Sequence, residues 1–230
     1  MLYFAGSVVS SFAHDLLSSC DILRDHVEFM YSAVGSKAAD ALKSYRTVAK
    51  REIDFMKGCL TRAITVARME KITCDQFKDT SINEMVVEIG EAFRKFFDRD
   101  KISFEFSRKT QLDNVSCEPL LIKQVLGNLI ANACASLQKA THRVRQIKVS
   151  TERDQDSLRI VVEDNGLGIE PTIFDEIWRP FFSTKRKGVG TGLGLMICKR
   201  IVEDIHGGTI RAESKHGYWA RFTVSLPVRS

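Results

Sequence analysis

Asn128 and Asn132 stand four residues apart in an otherwise apolar stretch with Val125, Leu126, Leu129, Ile130 and Ala133. At helical spacing both amides project from one face, and carboxamides among aliphatic side chains need polar partners. A neutral amide oxygen suits Mg²⁺, a cation that completes its octahedron with waters and phosphate oxygens. A pair of helix-surface asparagines without a ligand is the plainer alternative. Asp164-Asn165-Gly166-Leu167-Gly168-Ile169 comes directly after the apolar run 158–162. A carboxylate at a strand end, followed by two spaced glycines, sets an acceptor beside backbone that a ligand can approach closely. That acceptor suits an exocyclic amino group such as adenine's; alone, the pattern also fits a tight turn or an acidic metal loop.

Two further segments follow. Phe181, Phe182, Thr184 and Lys185, continuing into Arg186 and Lys187, put aromatics beside a cationic cluster in a stretch with no regular period. This suits a lid whose Lys185 meets phosphate as a point charge, and equally a solvated charge run. Gly188, Gly190, Gly192 and Gly194 alternate ahead of an apolar helical pattern. Alternate glycines let successive N–H groups turn inward, and a helix start adds partial positive charge, which together favour phosphate. Neither the dinucleotide fingerprint nor the P-loop lysine pattern is present.

N-x-x-x-N-A, D-x-G-x-G, P-F-F-S-T-K and G-x-G-x-G-L-G-L occur in this order, and the set closely resembles the N, G1, F and G2 boxes of sensor histidine kinases. His206–Ile210 and Phe222–Pro227 resemble that family's closing hairpin, so the resemblance runs over residues 80–228. It implies ATP held between the asparagine helix and the lid, with Asn132 on Mg²⁺ and Asn128 in support. It further implies that Asp164 receives the adenine amino group beside Gly166 and Gly168. Lys185 and the amides around Gly192, Leu193 and Gly194 would meet phosphates, and Phe182, Thr184 and Gly190 complete the nucleotide-contacting set. Gyrase-like and chaperone ATPases of the wider superfamily carry a glutamate general base where this chain has Asn128. An amide has no such basicity, which favours transfer to a protein side chain over hydrolysis.

A kinase of that type needs an acceptor histidine on a helix. His14 lies between the apolar seam positions Phe12 and Leu16 and so faces solvent, with Asp15 beside it to orient the ring or take its proton. His26 is the weaker candidate. The sequence departs from the family after Asp15, where Leu17, Ser18 and Ser19 replace a basic residue, Thr or Asn, and Pro. The resemblance implies onward transfer to a response regulator receiver domain. A nucleotide-binding regulatory module with an inert His14, or a Ser/Thr kinase with a similar ATP domain, are the alternatives.

The elements that must position these groups fall in two regions. Apolar residues recur at steps of three and four from Ala5 to Val34 and again from Leu42 to Ala67, interrupted at Gly35-Ser36. Two such amphipathic helices form an antiparallel hairpin, and pairing two hairpins into a four-helix bundle covers the remaining apolar stripe. The chain is therefore expected to be a homodimer. Residues 1–72 are read as this dimerisation and phosphotransfer hairpin, 73–80 as a linker, and 81–230 as the ATP-binding domain. Within the last, predicted helices cover 82–97, 119–138 and 193–206. Predicted strands cover 102–106, 146–151, 158–163, 209–212 and 220–226. The fold class is α+β: the helical hairpin followed by a two-layer α/β sandwich, helices on one face of a mixed sheet.

Bulk properties agree with this. A net charge of +5 spread along the chain argues against nucleic acid as a partner. Six scattered cysteines without a C-x-x-C pair point to reduced thiols in the cytoplasm rather than a zinc site. No membrane segment and no signal peptide are expected.

Overall fold

Strict alternation of apolar side chains builds the central sheet. β4 (Arg145–Arg153) buries Ile147, Val149 and Thr151; β5 (Ser157–Asp164) buries Leu158, Ile160, Val162 and Asp164. β7 (Trp219–Pro227) buries Ala220, Phe222, Val224 and Leu226. With β2 (Ile102–Arg108) and β6 (Thr209–Lys215) they form one five-stranded sheet in the order β2-β4-β5-β7-β6. Only β2 and β4 run parallel, so the sheet is mixed, as expected.

The structure is a computed structural model and describes residues 18–26, 28–30, 44–49, 52–53, 56, 58, 72–140, 144–184 and 191–228. The chain divides into two compact units, residues 1–71 with 181–193 and residues 72–180 with 194–230.

In the second unit, helices cover the apolar face of the sheet. α1 (Ile82–Asp100) starts at Ser81, whose hydroxyl accepts the Glu84 N–H, and ends at Lys101 in the left-handed region. α2 (Pro119–Lys139) has proline in its first turn and is capped by the Glu118 carboxylate, which accepts the Leu121 N–H at 2.6 Å. Leu121, Ile122, Val125, Leu126, Leu129, Ile130, Ala133 and Leu137 of α2 are buried, each large aliphatic contributing about 1.5–3 kcal/mol. This helix is long and apolar enough to cross a membrane by length and composition, but half of that window is packed inside the domain. It is a core helix.

Three local features differ from the sequence reading. The expected linker contains β1 (Lys78–Ser81), which pairs antiparallel with β3 (Asn114–Cys117) in a two-stranded sheet. Both strands are four residues long and largely polar, so neither shows an apolar period. The helix expected from residue 193 begins at 194: α3 (Gly194–Lys199) continues as a π-helical turn over Arg200–Ile205. The His206 N–H bonds the Ile201 carbonyl at 3.2 Å, one residue wider than an α-helix. Strands β2 and β6 run two and three residues further than expected, because their exposed ends are polar.

His206 ties these pieces together. Its Nε2 accepts the Glu118 N–H at 3.1 Å, so Nδ1 carries the proton and donates to the Ile201 carbonyl at 2.7 Å. The ring also stacks on Phe77, centroids 4.9 Å apart. One buried neutral imidazole thus fixes the start of α2 against the end of the π turn.

In the first unit, residues 18–26 and 28–30 are helical, as are 44–49, 52, 53, 56 and 58. His26 Nδ1 lies 2.8 Å from the Ile22 carbonyl, within one helical turn. His14, Asp15 and the Gly35-Ser36 turn lie outside the described residues, as do Ala5, Val9, Phe12, Leu16, Val27, Val34, Leu42, Leu60, Ile64 and Ala67 of the seam from which a dimeric bundle was expected.

Candidate functional site

α2 presents Asn128, Asn132 and Ser136 at successive intervals of four, all half-buried on one helix face. The Asn128 side-chain N–H donates to Cys198 Sγ of α3 at 3.7 Å, and the Cys198 thiol in turn reaches the Val125 carbonyl at 3.8 Å. A methyl group added at Gly194 would lie 3.9 Å from Asn128 Oδ1, so the first residue of α3 sits against this amide. Asn128 and Gly194 are therefore brought together, although 66 residues separate them (194 − 128).

Asp164 ends β5 and is 4% exposed. Its carboxylate accepts the Gly166 N–H at 2.9 Å. Burial nevertheless dominates and pushes its pKa up to about 6. The loop after it is held from two sides. The Leu167 N–H donates to Ser136 Oγ at 3.1 Å; the Ile169 N–H donates to Ser214 Oγ at 2.7 Å, and Ser214 donates to the Trp219 carbonyl at 2.8 Å. Gly168 takes φ 64°, and a Cβ there would come 2.7 Å from the Trp219 carbonyl oxygen, so only glycine fits. At Gly166 a Cβ would come 2.7 Å from Asp164 Oδ1 and 2.9 Å from the Ser136 carbonyl carbon. Asp164, Gly166 and Gly168 thus form one closely packed loop against α2. It offers a buried carboxylate with acceptor capacity to spare.

The glycine-rich segment belongs to the first unit. Phe181 has φ 64° and is exposed, Phe182 is half-buried, and Thr184 is exposed. Gly192 has φ 66° and packs so closely on Phe181 that a Cβ would lie 2.6 Å from the Phe182 nitrogen. Both described ends of the segment therefore meet. Thr191 and Leu193 are buried. Lys185 and Gly190 lie outside the described residues.

Ser136, Cys198 and Ser214 were not singled out from the sequence. Ser136 had a signal, since it continues the Asn128–Asn132 face by one more turn. Cys198 and Ser214 had none: their partners Asn128 and Ile169 lie 70 and 45 residues away on other elements.

Residues 117–230 match the family model described as histidine kinase-, DNA gyrase B- and HSP90-like ATPase. The catalytic domain of the histidine kinase ThkA is 33% identical, with 66% of this chain covering 95% of that one at a TM-score of 0.58. The chain belongs to this ATPase family, in its histidine-kinase branch. The signal transduction histidine-protein kinase AtoS of Escherichia coli (strain K12) is 28% identical over 97% of this chain and 35% of its own length. ThkA in complex with the response regulator protein TrrA is 23% identical over 99% of this chain and 63% of that chain, TM-score 0.71, a likeness of fold. The chain spans about a third of the length of the curated histidine kinases it matches. Within the histidine-kinase ATPase domain, the Asp164 loop lies against the α2 face, joined to it by the Leu167 N–H bond to Ser136 Oγ.

Proposed function

We propose that the chain is the catalytic core of a protein-histidine kinase, which moves the γ-phosphoryl group of ATP to His14 and then to an aspartate of a response regulator receiver domain. The observation that carries the reading is the Asp164 loop: a buried carboxylate beside glycine backbone, in a domain of the histidine-kinase ATPase family. Ionised, it accepts the adenine amino group in a charge-assisted hydrogen bond. Gly166 and Gly168 keep the neighbouring backbone free of side chains. The kinship to AtoS, and the response regulator bound to ThkA, support the same activity and partner here.

Asn132 offers a hard amide oxygen, a donor that fits Mg²⁺, with phosphate oxygens and waters filling the remaining positions. Mg²⁺ bound there would neutralise phosphate charge. Lys185, with Thr184, Phe182, Gly190 and the amides of Gly192, Leu193 and Gly194, holds and orients the phosphates. Asn128, its amide engaged by Cys198, is not a base and does not activate water. A neutral His14 ring nitrogen attacks phosphorus, an N–P bond forms as the bond to the ADP oxygen breaks, and the ring proton passes to Asp15. The helices of residues 1–72 carry His14 in a homodimeric bundle, and the core acts in the cytoplasm, where ATP is supplied.

The deciding experiment is incubation with γ-labelled Mg-ATP, followed by acid and alkali treatment. Label that survives base and is lost in acid, and that disappears in His14→Gln while nucleotide binding persists, is the expected result. Acid-stable, base-labile label points to a Ser/Thr kinase. Tight Mg-ATP binding with no label, even with a response regulator present, leaves a regulatory module.

A further inference from the structure

The turn that carries Asp164 is locked at its middle residue. The Asp164 carboxylate accepts the N–H of Gly166, two residues on, at 2.9 Å, which makes residues 164–166 an Asx turn centred on Asn165. Asn165 faces Gln146 of β4, one step past the last ladder pair, Asp164 with Ile147. In a continuing antiparallel ladder such a pair exchanges two backbone hydrogen bonds. Here only one runs between backbones, from the Asn165 N–H to the Gln146 carbonyl at 3.3 Å. The other runs from the Gln146 N–H to the side-chain Oδ1 of Asn165 at 2.8 Å. The Asn165 Nδ2 then donates to the Val144 carbonyl at 2.7 Å. One partner is a donor and the other an acceptor, so the amide fits in one orientation only.

The side-chain oxygen of Asn165 thus stands in for its own backbone carbonyl. β5 can leave the ladder directly after Asp164 and enter the glycine loop, while the Gln146 N–H keeps a partner. Resting on the reading of Asp164 as the adenine acceptor, we infer that Asn165 is a positioning residue for base recognition: by ending the β5 ladder with its own amide, it fixes where the Asp164 carboxylate is presented. The far side of the loop is held separately from the β6–β7 hairpin. There the Gly217 N–H donates to the Leu167 carbonyl at 2.6 Å, and Ser214 Oγ accepts the Ile169 N–H at 2.7 Å. A change at Asn165 therefore acts on the Asp164 end of the loop.

The test compares Mg-ATP with purine riboside triphosphate, which is ATP without its exocyclic amino group, by calorimetry on the full chain. The expected result for Asn165→Ala is an ATP affinity about tenfold weaker and an unchanged affinity for the analogue, because only ATP offers the amino group to Asp164. In an Asp164→Asn background, Asn165→Ala should leave the ratio of the two affinities where it is. Should Asn165→Ala fail to fold, Asn165→Ser, with one hydroxyl in place of the separate amide donor and acceptor, is expected to show the same selective loss. An equal loss for both nucleotides, or no loss for either, overturns the inference and leaves Asn165 as an ordinary strand end. Equal binding of the two nucleotides by the unmutated protein overturns the adenine reading of Asp164 itself, a separate result.

Discussion

Two aspartates of the second unit sit in opposite surroundings. At the end of α1, Asp100 receives a two-pronged hydrogen bond from Arg99 at 2.8 and 2.9 Å and another from Gln138 at 2.6 Å. The Arg99 guanidinium, then Gln138, hold its carboxyl down at about 2. At the end of β5, Asp164 accepts a neutral backbone donor, the Gly166 N–H, and burial lifts it to about 6. The first is saturated and charged over the whole physiological range. The second keeps lone pairs for an incoming donor, at a cost to the folded domain. A carboxylate held in place by cations is part of the scaffold, whereas one buried without them is held ready for something else.

The signs of their pH dependence differ accordingly. Asp164 has a raised native pKa, so its contribution to stability is full below about 4 and is lost as pH rises through about 6. Asp100 has a lowered one, so its contribution is present above about 4 and is lost as pH falls through about 2.

Three substitutions test this contrast. The largest effect is expected at Gly168→Val, where a branched side chain meets positive φ and the Trp219 carbonyl. The domain should lose about 3 kcal/mol or more in denaturant unfolding, together with its nucleotide binding; an unchanged midpoint would mean the loop is not clamped as described. Next, Asp164→Asn should weaken ATP ten- to a hundredfold at pH 7.5, about 1.5–3 kcal/mol. The same variant should gain about 2–3 kcal/mol of stability at pH 7 relative to pH 4, since the buried charge is gone. Melting curves with parallel pH dependence in variant and parent would refute the raised pKa. The smallest effect belongs to Asp100→Asn, which should cost within about 1 kcal/mol at pH 7 and leave ATP affinity as it was. A matching loss of affinity there would erase the distinction between scaffold and site.

The sequence alone determined what repeats or alternates. Asn128 and Asn132 were legible because a helical period is local, and β4, β5 and β7 because alternation over six residues or more survives any error at the ends. The four segments were recognisable by their order, and with them the histidine-kinase ATPase domain. Short-range patterning says nothing about pairs that meet only on folding. β1 was read as linker because its partner, β3, begins 33 residues beyond its end, and four polar residues have no period of their own. The π turn depends on His206, Glu118 and Phe77 converging from distant elements. Most of all, the D-x-G-x-G pattern marked Asp164 as an acceptor but not as a buried one. Its burial arises only when β5 packs under α2, because charge is tuned by what surrounds a group in space rather than by its neighbours in the chain.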